Sequence, residues 1–267
     1  MKFKILCSDL DGTLLSTKSD VSAYTISQIQ KIRNTTRIIL VSARMPSGMR
    51  YIQESLGIEK EPIICYNGAL VLHGKEIIAS VYIEPSLLRE IYSLCTALQT
   101  DLGLYYNDEW YVPKTSERVE KETKYTKSKP TFEETSITLG NLELRNVGAH
   151  KIMLMGTKES ADELMPILTE KFSSTLNIYR SNDTLIEIAP KSVSKLTAIA
   201  LLLSKDESLT DVIAFGDNYN DIEMLEAVGC GVAVANARDE VKAICDYTTL
   251  ENTNDGVARF IEEHWLI

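Results

Sequence analysis

The stretch Phe3-Lys4-Ile5-Leu6-Cys7-Ser8-Asp9-Leu10-Asp11-Gly12-Thr13 decides how the chain is read. Apolar residues dominate its first half and stop at two acids and a glycine, as in a short buried strand. In an open parallel sheet, ligands gather beyond the carboxyl ends of the strands. Asp9 and Asp11 are thus delivered to the expected site position. Residues two apart leave a strand on the same side, and Gly12 permits a tight turn after them. Two carboxylates that close are costly unless a cation lies between them or one takes up a proton. A metal ion, Mg²⁺, shared with a transferred phosphoryl group meets that need. The plainer alternative is a strand that ends in an Asp-Gly turn. At ordinary composition, Asp-x-Asp-Gly-Thr arises in a chain of this length about two times in a thousand. Its place at the first strand end lowers that chance further.

Outward from this stretch, strands and helices alternate. Ser22–Asn34 carries Ile26, Ile29 and Ile32 at helical spacing. Arg37–Val41 reads as a strand, Pro46–Leu56 as a helix and Pro62–Tyr66 as a third strand. Asn67-Gly68 then turns the chain into Ala69–Leu72, with Ile77–Ile83 following. Alternation returns near the other end of the chain. Val193–Leu203, Ile222–Val228, Asp239–Cys245 and Gly256–Trp265 read as helices, and Val212–Phe215 and Gly231–Val234 as strands. Such alternation argues for a parallel sheet covered on both faces.

The middle has an α+β texture. A long helix is expected over Pro85–Leu102, then a hairpin of Gly103–Tyr106 and Glu109–Val112. Lys151–Met155 reads as a strand, Glu159–Phe172 as a helix, and Ser174–Arg180 with Thr184–Ile188 as a strand pair. The charged run Lys114–Pro130 follows no period. The expected architecture is an α/β core from residues 1–83 and 191–267, with a second α+β domain, 84–190, inserted.

Composition bounds the function. The chain has 267 residues, 44% hydrophobic and 25% charged, enough for a real core. A net charge of -10 disfavours nucleic-acid phosphates as partners. The opening apolar run is short and ends in an acid, so no signal peptide is expected. No apolar run reaches membrane-spanning length, and a cytoplasmic location is expected. The five cysteines include no Cys-x-x-Cys pair, and reduced thiols are expected. His73, His150 and His264 are far from one another and from the cysteines in sequence, so no zinc site is expected.

Three further groups carry candidate chemistry. Gly216-Asp217-Asn218-Tyr219-Asn220-Asp221 follows an apolar strand. Asp217 leaves the strand end, where it could ligate Mg²⁺ directly. Asp221 could hold the ion directly or through water, and Asn220 is a candidate substrate contact. The plainer alternative is a strand-to-helix loop with capping acids. Val41-Ser42-Ala43-Arg44 ends the second strand. Ser42 could donate to a phosphoryl oxygen, and Ala43 and Arg44 could add donors beside it. A capping serine is the plainer alternative there. Lys195, in Pro190-Lys191-Ser192-Val193-Ser194-Lys195, could neutralise phosphate or a nucleophile. Spacing alone does not choose it over Lys191.

Taken in order, Asp9-x-Asp11-Gly12-Thr13, Ser42-x-Arg44, Asn67-Gly68-Ala69, Lys195 and Gly216-Asp217-x-x-Asn220-Asp221 resemble the signatures of the haloacid dehalogenase superfamily. The likeness is to its Cof-like phosphatases with a type-two cap. It covers nearly the whole chain in motif order and implies a Rossmann-like core with an α/β cap that chooses the substrate. It also selects Lys195, since the family's lysine sits in a Val-Ser-Lys context. Ala43 stands where the family usually has glycine, and Ser192 and Leu196 depart from its Gly-Val-Ser-Lys-Gly. The activity implied is hydrolysis of a small phosphorylated metabolite, with a sugar phosphate foremost. Asp9 is the nucleophile, and Asp11 is the acid and then the base, with its backbone carbonyl in reach of the metal. Ser42 and Lys195 hold charge, and Asp9, Asp11, Asp217 and Asp221 are the metal residues. Two other functions stay open: a phosphosugar mutase on the same core, and a catalytically idle binding protein.

Overall fold

The structure is a computed structural model and describes Phe3–His264. The chain divides into two compact units. One runs to Ala79 and resumes at Ser194, and the other spans Ser80–Val193.

The first unit opens with β1 (Ile5–Ser8), α1 (Ala23–Ile32), β2 (Arg37–Val41), α2 (Ser47–Leu56) and β3 (Ile63–Cys65), then β4 (Leu70–His73) and β5 (Glu76–Ser80). Ser22 caps α1 by accepting from Thr25 N–H. The second unit holds α3 (Pro85–Ala97), β6 (Asp101–Tyr106), β7 (Glu109–Val112), α4 (Glu117–Thr126), β8 (Thr131–Phe132) and α5 (Thr135–Leu144). It continues through β9 (Lys151–Met155), α6 (Lys158–Phe172), β10 (Leu176–Asn182) and β11 (Leu185–Pro190). The first unit resumes with α7 (Lys195–Leu201), β12 (Val212–Gly216), α8 (Ile222–Ala227), β13 (Cys230–Ala233), α9 (Asp239–Ile244), β14 (Tyr247–Thr248) and α10 (Gly256–His264). The expected last residue of α10, Trp265, lies outside the described residues. No described helix is long and apolar enough to cross a membrane.

The first unit is a Rossmann-like sheet in the order β14-β13-β12-β1-β2-β3-β4-β5. β14 to β3 pair in parallel, and β4 runs antiparallel to β3. β1 sits in the middle with Ile5, Leu6 and Cys7 fully buried, which is why its sequence is a continuous apolar run rather than an alternating one. The chain proceeds from β1 toward β3 on one side and from β12 toward β14 on the other. The switch in direction therefore falls beside β1, where such sheets bind ligands.

The second unit is a six-stranded sheet, β10-β11-β9-β6-β7-β8, mostly antiparallel. Leu102, Leu104, Ile152, Leu154, Ile186 and Ile188 share one core with Leu88 and Ile91 of α3, Leu139 and Leu142 of α5, and Leu164 and Leu168 of α6. This is the α+β insertion expected, with three corrections inside it. The helix expected over Pro85–Leu102 ends at Ala97, since Gln99 takes a positive φ of 49° and Asp101 starts β6. The unassigned charged run contains α4, which is held by i,i+4 pairs of Lys121 with Glu117 and Arg118 with Glu122. Only Val119 and Thr126 of that helix are buried, so it shows no apolar stripe. α5 and β8 were not foreseen.

Gly68 fixes the start of α7. Its φ is 105°, and a Cβ there would collide with the carbonyl oxygen of Ser194, the N-cap of α7. Gly68→Ala is expected to destabilise the protein by about 2–4 kcal/mol, through strain and overpacking together. Gly140→Ala, in α5 with open space around it, should be neutral or slightly stabilising. Denaturant unfolding of both variants checks this, and equal midpoints would contradict it.

Candidate active site

Four strand ends meet at one level. Ser8 of β1 is in register with Phe215 of β12 and Leu40 of β2, and Asp9 N–H donates to Phe215 O at 3.0 Å. Asp9 and Asp217 therefore leave neighbouring strands side by side. Ser42 follows β2, and Asn67 follows β3. Lys195 enters from the first turn of α7, whose N-terminus is closed by a capping box of Ser194 and Thr197.

Lys195 is 1% exposed and its Nζ donates to Asp9 Oδ1 and to Asp221 Oδ1, each at 2.6 Å. Asp221 is wholly buried, and its Oδ2 accepts from the Asp217 and Asn218 N–H groups at 3.0 Å. Thr13 Oγ1 donates to Asp217 Oδ1 at 3.2 Å. Carboxylate oxygens of Asp9, Asp217 and Asp221 lie within 4.8 Å of one another. Lys191, the competitor left open by spacing, is exposed and donates to Ser173 O in the second unit.

The crowding shows in the ionisation. Burial raises the Asp9 pKa well above the carboxylate range, against the pull of Lys195, and the charges of Asp221 and Asp217 raise it further. Asp217 is pushed up to about 6, by burial first and then by Asp221. Burial alone would lower the Lys195 pKa, but Asp221 and Asp9 outweigh it and hold the ammonium above its ordinary value. Three carboxylates thus share one ammonium. Their donor set is all oxygen, which suits a hard divalent cation such as Mg²⁺, and a cation would relieve the repulsion that raises both pKa values. The residues present fit such an ion.

Asp11, expected to act through its carboxylate as acid and base and through its backbone carbonyl on the metal, stands in different surroundings. Its carboxylate does not join the cluster. Both its oxygens accept from Arg44, from Nε at 2.8 Å and from Nη2 at 2.6 Å. A guanidinium fork matches a carboxylate bidentately, and this pairing draws the second acid away from three like charges. Gly12 turns the chain between the two acids and Thr13, with φ 84°, and a Cβ there would stand 2.5 Å from Asp217 Oδ2.

Arg44 is likewise not placed as a phosphate donor. Its side chain is spent on Asp11, and its backbone N–H donates to Ser42 Oγ at 3.2 Å. Ser42 itself is buried at the end of β2. Ala43, half-buried, brings only backbone to the site. Asn220 Nδ2 donates to Asn67 Oδ1 at 3.0 Å, so this amide ties two loops together. Sequence reasoning missed Asn236 and Asn252, which hold the loop after Asp9 by donating to Gly12 O at 2.8 Å and Leu15 O at 2.7 Å. Isolated asparagines carry no motif, and only the fold brings them here. Thr13 lay inside the quoted motif, and its bond to Asp217 was the missing link.

A family model described as haloacid dehalogenase-like hydrolase matches residues 6–261. The chain belongs to the haloacid dehalogenase-like hydrolases. A Haemophilus influenzae protein that carries a provisional phosphatase name is 34% identical to this hydrolase over 270 residues, with 98% of each chain covered. The 5-amino-6-(5-phospho-D-ribitylamino)uracil phosphatase of Bacillus subtilis is 27% identical over 283 residues, covering 98% of this chain and 97% of its own. A crystal structure from Thermotoga maritima superposes with a TM-score of 0.87 at 29% identity, covering 98% and 97% of the two chains. This membership and these relatives support hydrolysis of a phosphoric monoester as the reaction class of the hydrolase.

The raised Asp217 pKa gives a signed expectation for the metal-free protein. Its folded value, about 6, exceeds the ordinary 3.8, so the ionised form opposes folding. That penalty is absent below about pH 4 and complete above about pH 6. Asp217→Asn should therefore stabilise the chelator-treated protein at pH 7.5 by up to about 3 kcal/mol and have little effect near pH 4. Thermal unfolding at the two pH values measures it. An equal shift at both would contradict the account.

Proposed function

We propose that this hydrolase is a Mg²⁺-dependent phosphatase acting on a small phosphorylated metabolite, with a sugar or sugar-alcohol phosphate as the substrate class. The observation that carries the reading is the buried chain Asp9–Lys195–Asp221 beside Asp217. Lys195 binds Asp9 Oδ1 and thereby leaves Oδ2 as the attacking oxygen. In this reading Asp9 attacks phosphorus in line and becomes an aspartyl phosphate. Asp11 gives a proton to the leaving oxygen and then takes one from the water that releases phosphate. Ser42 and Lys195 hold negative charge on the transferring oxygens, the main task in phosphoryl transfer. Asp9 and Asp217 would hold the ion directly, and Asp221 directly or through water. The Asp11 backbone carbonyl is a further candidate ligand. When bound, the ion supplies positive charge that offsets the carboxylates and the transferring phosphoryl group.

The substrate class draws support from the Bacillus subtilis relative, whose name places the phosphate on a ribityl chain. The core residues offer groups for phosphate and metal and nothing for the rest of a metabolite, and the inserted unit is assigned that task. A cytoplasmic setting belongs to the same reading, since none of the five cysteines stands in a disulfide.

One experiment tests the reading. Phosphate release is followed over a panel of sugar and sugar-alcohol phosphates, with Mg²⁺ and with a chelator, alongside any isomerised product. Wild type should release phosphate only with Mg²⁺. Asp9→Asn should lose at least about 10³-fold in kcat while folding normally. Exchanging the unit Ser80–Val193 for a relative's should change the substrate order. Near-normal turnover by Asp9→Asn, or isomerised product without free phosphate, would contradict the proposal.

A further inference from the structure

Arg44 is 3% exposed at its side chain, and all five of its N–H groups are committed. Nε and Nη2 donate to the two Asp11 oxygens. Nη2 donates again to Lys18 O at 3.0 Å. Nη1 donates to Gly48 O at 3.2 Å and to the Tyr51 hydroxyl at 3.0 Å. Tyr51 in turn donates to Ser19 O at 2.5 Å. The guanidinium plane is thus fixed from two directions, by the Lys18–Ser19 segment and by the first half of α2. A guanidinium has five donors and no acceptor, so none is left for a substrate phosphate. By contrast, the Asp11 side chain is 53% exposed. Packing does not fix its rotamer, and the Arg44 fork is what does.

We propose that Arg44, held by Tyr51, is the positioning residue that aims the Asp11 carboxylate at the leaving oxygen. The inference rests on the acid role given to Asp11 above. The bland alternative is a fold staple that joins the loop after Asp11 to α2. The two differ in what they do to catalysis. An acid matters most when the leaving oxygen is strongly basic, because that oxygen cannot depart unprotonated. A staple would affect good and poor leaving groups alike.

The test compares phenyl phosphate with para-nitrophenyl phosphate, whose leaving oxygen is far less basic, at saturating Mg²⁺. Tyr51→Phe keeps the ring and removes the hydroxyl. It should lower kcat on phenyl phosphate about tenfold and on para-nitrophenyl phosphate less than about threefold, with KM little changed. Arg44→Lys keeps the charge and loses the fork. It should show the same selectivity with a larger drop, on the order of 10²-fold on phenyl phosphate. Asp11→Asn is the control for the underlying reading. If it is selective while Tyr51→Phe and Arg44→Lys slow both esters in parallel or slow neither, the positioning inference is overturned and the acid role stands. If Asp11→Asn itself slows both esters equally, the acid role falls and the inference falls with it. Selective loss in all three supports both.

Discussion

The Lys195 ammonium, buried between Asp9 and Asp221 at 2.6 Å from each, sets the terms for the rest of the structure. A buried charge is tolerated only with partners, and removing one partner of a buried pair costs about 3–5 kcal/mol. The ammonium therefore requires that the ends of β1 and β12 stay at one level and that α7 begin close beside them. Apolar strands fix the first requirement, since β1 and β12 are buried along their lengths. Gly68 and the Ser194 cap fix the second. In return the lysine orients Asp9, binding one oxygen and leaving the other. It cannot balance Asp217 as well, and the remaining negative charge suits a divalent cation.

A second ion pair, Arg44 with Asp11, stands apart from the first and gives the two acids of the opening motif different surroundings. Asp9 is buried among like charges, whereas Asp11 is half-exposed and tied to a guanidinium. The same residue type two positions apart thus meets two environments, and the proposed roles of attack and proton transfer follow that difference. Gly12 makes the separation possible by turning the backbone directly after Asp11.

Much of this was legible in the sequence, for physical reasons. Strands buried on both faces write themselves as apolar runs, and their ends at Asp9, Val41 and Gly216 pointed to the candidate site. Alternation of strands and helices at both ends of the chain gave the core. The harder parts were those governed by tertiary partners. Periodicity could not separate Lys195 from Lys191, because only burial distinguishes them. Nothing in Ser42-Ala43-Arg44 revealed that the arginine turns toward Asp11, since that depends on acceptors from Lys18, Gly48 and Tyr51. Asn220 sits inside a recognised motif, yet its bond to Asn67 depends on a loop far away in sequence. In the second unit, α4 is built from ion pairs rather than an apolar stripe, and the strand β6 begins where the sequence still reads as the tail of α3.

The most direct measurement of the central claim is a rapid acid quench of the hydrolase during turnover of para-nitrophenyl phosphate with Mg²⁺, followed by mass spectrometry of the peptide that contains Asp9. The account predicts a phosphoryl group on Asp9, present during turnover and gone once the substrate is exhausted. A phosphoryl group on another residue, or none at all while turnover proceeds at the normal rate, would contradict it.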